Sequence, residues 1–88
     1  MDAKHVAAWM QQELVKQNCL YQDDVVDFLV KAKDETHLRE NADGNLVLGT
    51  KLLNSFKKLN EHDVVWVRSE FYWRPRVAED EEGRLARG

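Results

Sequence analysis

The sequence predicts an α+β fold, three helices with a small internal hairpin and a C-terminal β-hairpin, and three observations carry that expectation. Apolar residues recur at three- and four-residue spacing in three separate stretches, as the buried stripe of a helix does. The segment VVWVRSEFYWRPR, residues 64–76, concentrates strand formers in two runs. Asp43-Gly44, a turn signal, stands just ahead of the apolar run Leu46-Val47-Leu48.

The first helix is expected over residues 3–18. Ala3, Val6, Ala7, Met10 and Leu14 make its inward face, Trp9 covers the edge of that stripe, and Asn18, tolerant of left-handed backbone, stops it. Cys19-Leu20-Tyr21 is a short apolar link with one strand-like step. Gln22-Asp23-Asp24 opens a second helix, its acidic pair suiting the positive end of the helix dipole. Val25, Val26, Phe28, Leu29, Val30 and Ala32 cover most of that helix's circumference, which predicts the central, most buried helix. Residues 37–40 and 45–48 read as a small hairpin, with an extra helical turn at 35–41 as the alternative. Thr50 is placed to cap a third helix through its hydroxyl. Leu52, Leu53, Phe56 and Leu59 are its inward residues and Asn60 ends it. In the terminal hairpin, the turn about Ser69-Glu70 lacks Asn-Gly, which leaves a looser loop as the alternative, and a two-residue turn sets Trp66 opposite Trp73 and Arg68 beside Phe71 on one face. Val65, Val67, Tyr72 and Arg74 share the other, and Pro75, which lacks an N–H, ends the second strand. One compact domain is expected over residues 1–76, with 77–88 an acidic, disordered tail.

The net charge of −3 is unevenly spread: five basic against nine acidic side chains in residues 1–50, six against three in 51–76, and two against four in 77–88. Only the middle stretch could draw a polyanion locally. One cysteine excludes an internal disulfide, and no apolar run approaches the roughly 20 residues of a membrane helix. With no signal peptide visible in MDAKHVAAWM, the cytoplasm is the expected location.

No catalytic constellation stands out. Ser55 and Ser69 lack a nucleophile-elbow context, the four glycines are scattered, and the Asp23, Asp24, Asp27 cluster is explained by a helix start. Cys19, His5, His37 and His62 lack metal-ligand spacing, with Cys19 read as a small buried hydrophobe. So small a domain has little room for a substrate pocket. The expectation is a non-enzymatic binding protein with no metal, no cofactor and no small-molecule substrate.

Two features remain. The outward stripe Lys51, Asn54, Ser55 and Lys58 of the third helix, with Lys57 beside it, could meet phosphates and base edges, helped by Arg68, Arg74 and Arg76 on the hairpin. The competing reading of the stripe is a solvated face. Trp66, Phe71, Tyr72 and Trp73 put four of the eight aromatics into one hairpin, more ring than a short ribbon buries, which points to a protein partner or to a homodimer.

The segments LYQDDVVDFL, DGNLVLGTKLLNSFKKL and VVWVRSEFYWRPR resemble a small bacterial domain family of unknown function, found in genomes and among mobile-element or integron cassette genes. The resemblance spans roughly residues 4–76 and is most specific where Trp66 and Arg68 precede Trp73, Arg74 and Arg76. It implies no activity and no catalytic residue. The element order also resembles a winged helix-turn-helix, in which the third helix reads the nucleic acid and the last hairpin is the wing. Against that resemblance stand the negative net charge and the hairpin inserted between the second and third helices.

Overall fold

The computed structural model describes residues 2–77. Helix α1 runs Ala3–Gln17, β1 Leu20–Tyr21, α2 Gln22–Lys31, a 3₁₀ turn Glu35–His37, β2 Leu38–Glu40, β3 Leu46–Leu48, α3 Thr50–Asn60, β4 Val64–Val67 and β5 Tyr72–Pro75. It is an α+β fold with three helices. None of the described helices is long and apolar enough to cross a membrane. The residues of the acidic tail lie outside the described residues, Val77 excepted.

Local chemistry sets the first boundaries. The Asp2 carboxylate caps α1 by accepting the His5 backbone N–H at 2.7 Å, and Asn18 closes the helix in left-handed conformation, φ 62°. The expected stripe, Ala3, Val6, Ala7, Met10 and Leu14, is buried. Both expectations for residues 35–48 hold in part: the 3₁₀ turn comes first, and Leu38–Glu40 then pairs antiparallel with Leu46–Leu48. The turn between them closes on Asn41, whose side-chain oxygen accepts the N–H groups of Asp43 and Asn45, while Gly44 supplies φ 79°.

The core is shared by α1, α3, a three-stranded sheet of order β1-β5-β4, Val25 and Leu29 of α2 and Leu48 of β3. Strand β5 is central, so Trp73 pairs with Leu20 on one side and Trp66 on the other. Trp73 is 3% exposed and meets Phe56 of α3 edge-on, ring centroids 5.2 Å apart. The β2–β3 hairpin is a separate two-stranded sheet held at the start of α3, where Gly49 N–H donates to the His37 carbonyl at 2.7 Å.

Four expectations are corrected. Helix α2 is not the most buried one: only Val25 and Leu29 are buried, Val26 and Phe28 are half-buried, and Val30 and Ala32 are exposed. It packs on β1 and β3 at the periphery, whereas α1 lies along α3 and buries five residues. Thr50 does not cap α3 but is its first residue. Gly49 is the N-cap and makes no side-chain bond. A Cβ at Gly49 would sit 3.1 Å from the His37 carbonyl oxygen, so close approach of two backbones took precedence over a capping hydroxyl. Leu59 is 50% exposed, and Asn60 takes the inward place after Leu52 and Phe56, in steps of four. Asn60 is buried and donates from Nδ2 to Gln11 Oε1 at 2.7 Å, tying α3 to α1. Cys19 is half-buried rather than buried.

The β4–β5 register matches the expectation: Trp66 faces Trp73 and Val67 faces Tyr72. Arg68 to Phe71 form the connecting loop, in which Glu70 N–H reaches the Val67 carbonyl at 3.4 Å. Phe71 completes the reversal at φ 56°, a left-handed backbone that a bulky residue rarely adopts, and its carbonyl accepts the Gln22 N–H at 2.9 Å. Left-handed backbone costs a non-glycine residue roughly 1–2 kcal/mol. Phe71→Gly is therefore expected to be more stable than Phe71→Ala by about 1 kcal/mol, because both remove the ring and only glycine relieves the backbone. Urea denaturation of the two variants checks this, and equal midpoints would refute it.

Two carboxylates are held below their usual range, Asp2 by the His5 N–H and Asp34 by the Thr36 hydroxyl at 2.9 Å. Their unfolded forms take up protons before the folded forms do. The stability they contribute is present above the ordinary carboxylate pKa and is lost as pH falls through the lower native values. The melting temperature should stay level between about pH 7 and 5 and fall below about pH 4, with a smaller fall in Thr36→Ala. Calorimetry across this range tests both.

Candidate functional site

The predicted basic stripe is one wall of an open groove of about 700 Å³. Helix α3 contributes Thr50, Lys51, Asn54, Ser55 and Lys58, at the turn-by-turn spacing that keeps them on one face. The opposite wall is the first turn of α1, with Asp2, Ala3 and Lys4. A smaller hollow of about 180 Å³ continues the groove past Lys4, Ser55, Lys58 and the exposed Leu59. Two helices packed side by side thus bring Lys4, Lys51 and Lys58 to one depression, with Asn54 and Ser55 as neutral donors between them. None of the three lysines is in an ion pair among the described residues. Asp2, the acid in the groove, has its carboxylate engaged on the His5 N–H. Lys57 is exposed on α3 and does not line the groove.

The arginines are elsewhere. Arg68 is exposed in the hairpin loop. Arg74 is half-buried and donates from Nη1 to the Pro75 carbonyl at 3.2 Å. Arg76 is half-buried too: its Nε donates to the His62 carbonyl at 3.0 Å and its backbone N–H to the Asp63 carbonyl at 2.8 Å, which fastens the end of the hairpin to the turn after α3. Neither of these arginines lines the lysine groove.

The hairpin's rings divide by exposure. Trp73 is buried, Trp66 and Tyr72 are half-buried, and Phe71 is 55% exposed at the tip. Phe71 touches Trp66 edge-on at 6.2 Å, and Trp66 leans on Trp73 at 4.6 Å. On the other side of the sheet, Tyr72 stacks on Tyr21 of β1 at 4.9 Å, and Tyr21 is 42% exposed. Loss of water around Tyr21 pushes its hydroxyl pKa above the usual tyrosine value, and the charges of Cys19 and Glu70 add to the effect. Arg68 and Glu70, both exposed, sit in the loop that carries Phe71.

A third depression, of about 310 Å³, lies between α1 and α2. Trp9 and Phe28 stack there at 3.9 Å, with Glu13, Asp24 and Asp27 around them. Its Lys31 already pairs with Asp27 at 2.9 Å. Among the described residues, no group of three or more His, Cys, Asp or Glu side chains could hold a metal ion.

Sequence reasoning missed two members of these surfaces. Lys4 stands 47 positions before Lys51, and no local spacing joins them. Tyr21 read as part of a linker, and its partner Tyr72 becomes visible only once β1 is known to pair with β5. In comparisons with known proteins, no curated protein and no solved structure matches the chain. A family model does match over residues 2–75, nearly the whole of the described fold, and the chain belongs to that family, which is one of unknown function (DUF6953).

Proposed function

We propose that the domain is a non-enzymatic, winged-helix-like module that binds nucleic acid through the groove between α1 and α3. The observation that carries the reading is the convergence of Lys4, Lys51 and Lys58, none in an ion pair among the described residues, beside Asn54 and Ser55. Lysines contact phosphates as point charges and gain affinity by releasing counterions. The first turn of α1 walls the α3 stripe, so the stripe flanks a depression and is not a free ridge. That shape favours contacts to the phosphate backbone over readout of base edges. The winged-helix likeness is supported by the sheet order β1-β5-β4, in which a strand between the first two helices closes the terminal hairpin into one sheet. It is a likeness of fold only. The proposal extends to the setting that the resemblance given above implies, a bacterial cytoplasm and a gene carried on a mobile element or integron cassette.

A second reading has its own observation. Phe71 is held outward on a left-handed backbone, where glycine would be the unstrained choice. Strain and exposure of a large apolar ring coincide at binding surfaces, so the hairpin is also proposed as a protein-interaction surface formed by Phe71 and Trp66, anchored on Trp73, with Tyr72 and Tyr21 on the other side of the sheet.

The test of the first reading is fluorescence anisotropy with labelled single- and double-stranded DNA over a salt series. Three phosphate contacts give a slope of about −2.7 in log K against log salt, and an affinity loss of roughly 40-fold between about 50 and 200 mM salt. Lys4→Ala, Lys51→Ala or Lys58→Ala should each reduce that slope by about 0.9. Absence of binding at about 20 mM salt, or a slope unchanged by all three substitutions, would remove the reading.

A further inference from the structure

We infer that the lysine groove has an occupant within the chain itself: the acidic run Glu79-Asp80-Glu81-Glu82 lies against Lys4, Lys51 and Lys58 and competes there with nucleic acid. The competition rests on the reading proposed above, that the groove binds nucleic acid, whereas the contact itself does not. Two observations select this segment, charge and reach.

The groove gathers three lysines, none in an ion pair among the described residues, while its acid, Asp2, is engaged on the His5 N–H. It therefore carries positive charge without a counter-charge from the described fold. Asp23, Asp24 and Asp27 stand on α2 and do not line it. The run 79–82 is four carboxylates in a row, the longest acidic run in the sequence. Like charges so closely spaced repel one another, and a row of lysines relieves that repulsion.

The place where the run begins is fixed. Arg76 is fastened to the carbonyls of His62 and Asp63, two and three positions after Asn60 ends α3. The chain thus leaves the described fold beside the C-terminal end of the helix that carries Lys51 and Lys58. From Arg76 to Glu79 an extended chain spans about 10 Å, and to Glu82 about 20 Å. Along α3, at about 1.5 Å per residue, Asn60 is about 3 Å from Lys58 and about 14 Å from Lys51. The run can therefore follow the whole lysine row. Single exposed ion pairs are weak, but a segment tethered so close acts at a high effective concentration, which a free acidic peptide does not.

Zero-length carbodiimide cross-linking of the full chain, mapped by mass spectrometry, tests the contact without nucleic acid. The expected result at about 10 mM salt is amide bonds within one chain from residues 79–82 to Lys4, Lys51 and Lys58, lost at about 1 M salt, where screening acts within roughly 3 Å. Lys16 and Lys33, exposed outside the groove, report chance encounters. Equal yields at these two, or no bonds to the groove lysines, overturn the contact. Fluorescence anisotropy with labelled DNA tests the competition. The full chain carrying Glu79→Gln, Asp80→Asn, Glu81→Gln and Glu82→Gln should bind DNA roughly three- to tenfold more tightly at low salt. A control carrying Asp23→Asn, Asp24→Asn, Glu35→Gln and Glu40→Gln changes the net charge equally and should gain less. Equal gains overturn the competition. Groove cross-links in a chain that binds no DNA uphold the contact and remove the nucleic-acid reading. DNA binding that depends on the three lysines, without groove cross-links, upholds that reading and overturns the contact.

Discussion

The burial of Trp73 is the constraint on which the rest of the fold depends. Its strand is the middle one, so a single residue is paired to β1 through Leu20 and to β4 through Trp66. The same ring meets Phe56, which places the sheet against the inward face of α3. Helix α3 is in turn aligned with α1 by the apolar stripe and by the Asn60–Gln11 bond. Replacing so central a ring with a small side chain would leave a cavity between three elements at once, and core truncations of aromatics cost about 3–5 kcal/mol. Because a small domain has little stability in reserve, such a loss approaches the whole of it.

Both surfaces with functional interest are consequences of that packing. Side-by-side helices place the starts of α1 and α3 next to each other and so gather lysines that are remote in sequence. With Trp73 turned inward, the tip of its hairpin is left to carry Phe71 outward. The acidic residues meanwhile collect on α2, where Asp23, Asp24 and Asp27 are exposed. The two helices therefore present faces of different charge, although Asp27 is paired with Lys31 on α2 itself. A polyanion approaching from the α3 side meets lysines, and one approaching from the α2 side meets carboxylates, which gives long-range forces a preferred direction.

Much of this was legible in the residues. Element order, the ends of α1, the register Trp66 to Trp73 and the presence of a small hairpin around Asp43-Gly44 follow from spacing, capping and turn chemistry, whereas its pairing of Leu38 with Leu48 does not. These are local signals, and local signals are what a single chain displays. The misreadings concern which elements are neighbours. A helix with apolar residues all round, as Val25 to Ala32 is, reads as central, yet α2 lies outside because α1 occupies the place beside α3. Asn60 ends α3 as expected, but it also takes the buried place expected of Leu59, because the four-residue steps from Leu52 prevail over side-chain polarity once Gln11 offers a bond. Lys4 and Tyr21 were invisible as site members for the same reason: each acquires its partner through tertiary contact alone.

The β2–β3 unit has an implication of its own. Its turn is folded around the side chain of Asn41, its base is clipped to the chain by the Gly49–His37 bond, and residues 42–46 at the tip are exposed. Lengthening such a tip costs mainly closure entropy, about 0.6 kcal/mol for each doubling of the loop. This ribbon is thus a graft point, where a longer or differently lettered arm can be spliced in while the scaffold beneath stays as it is.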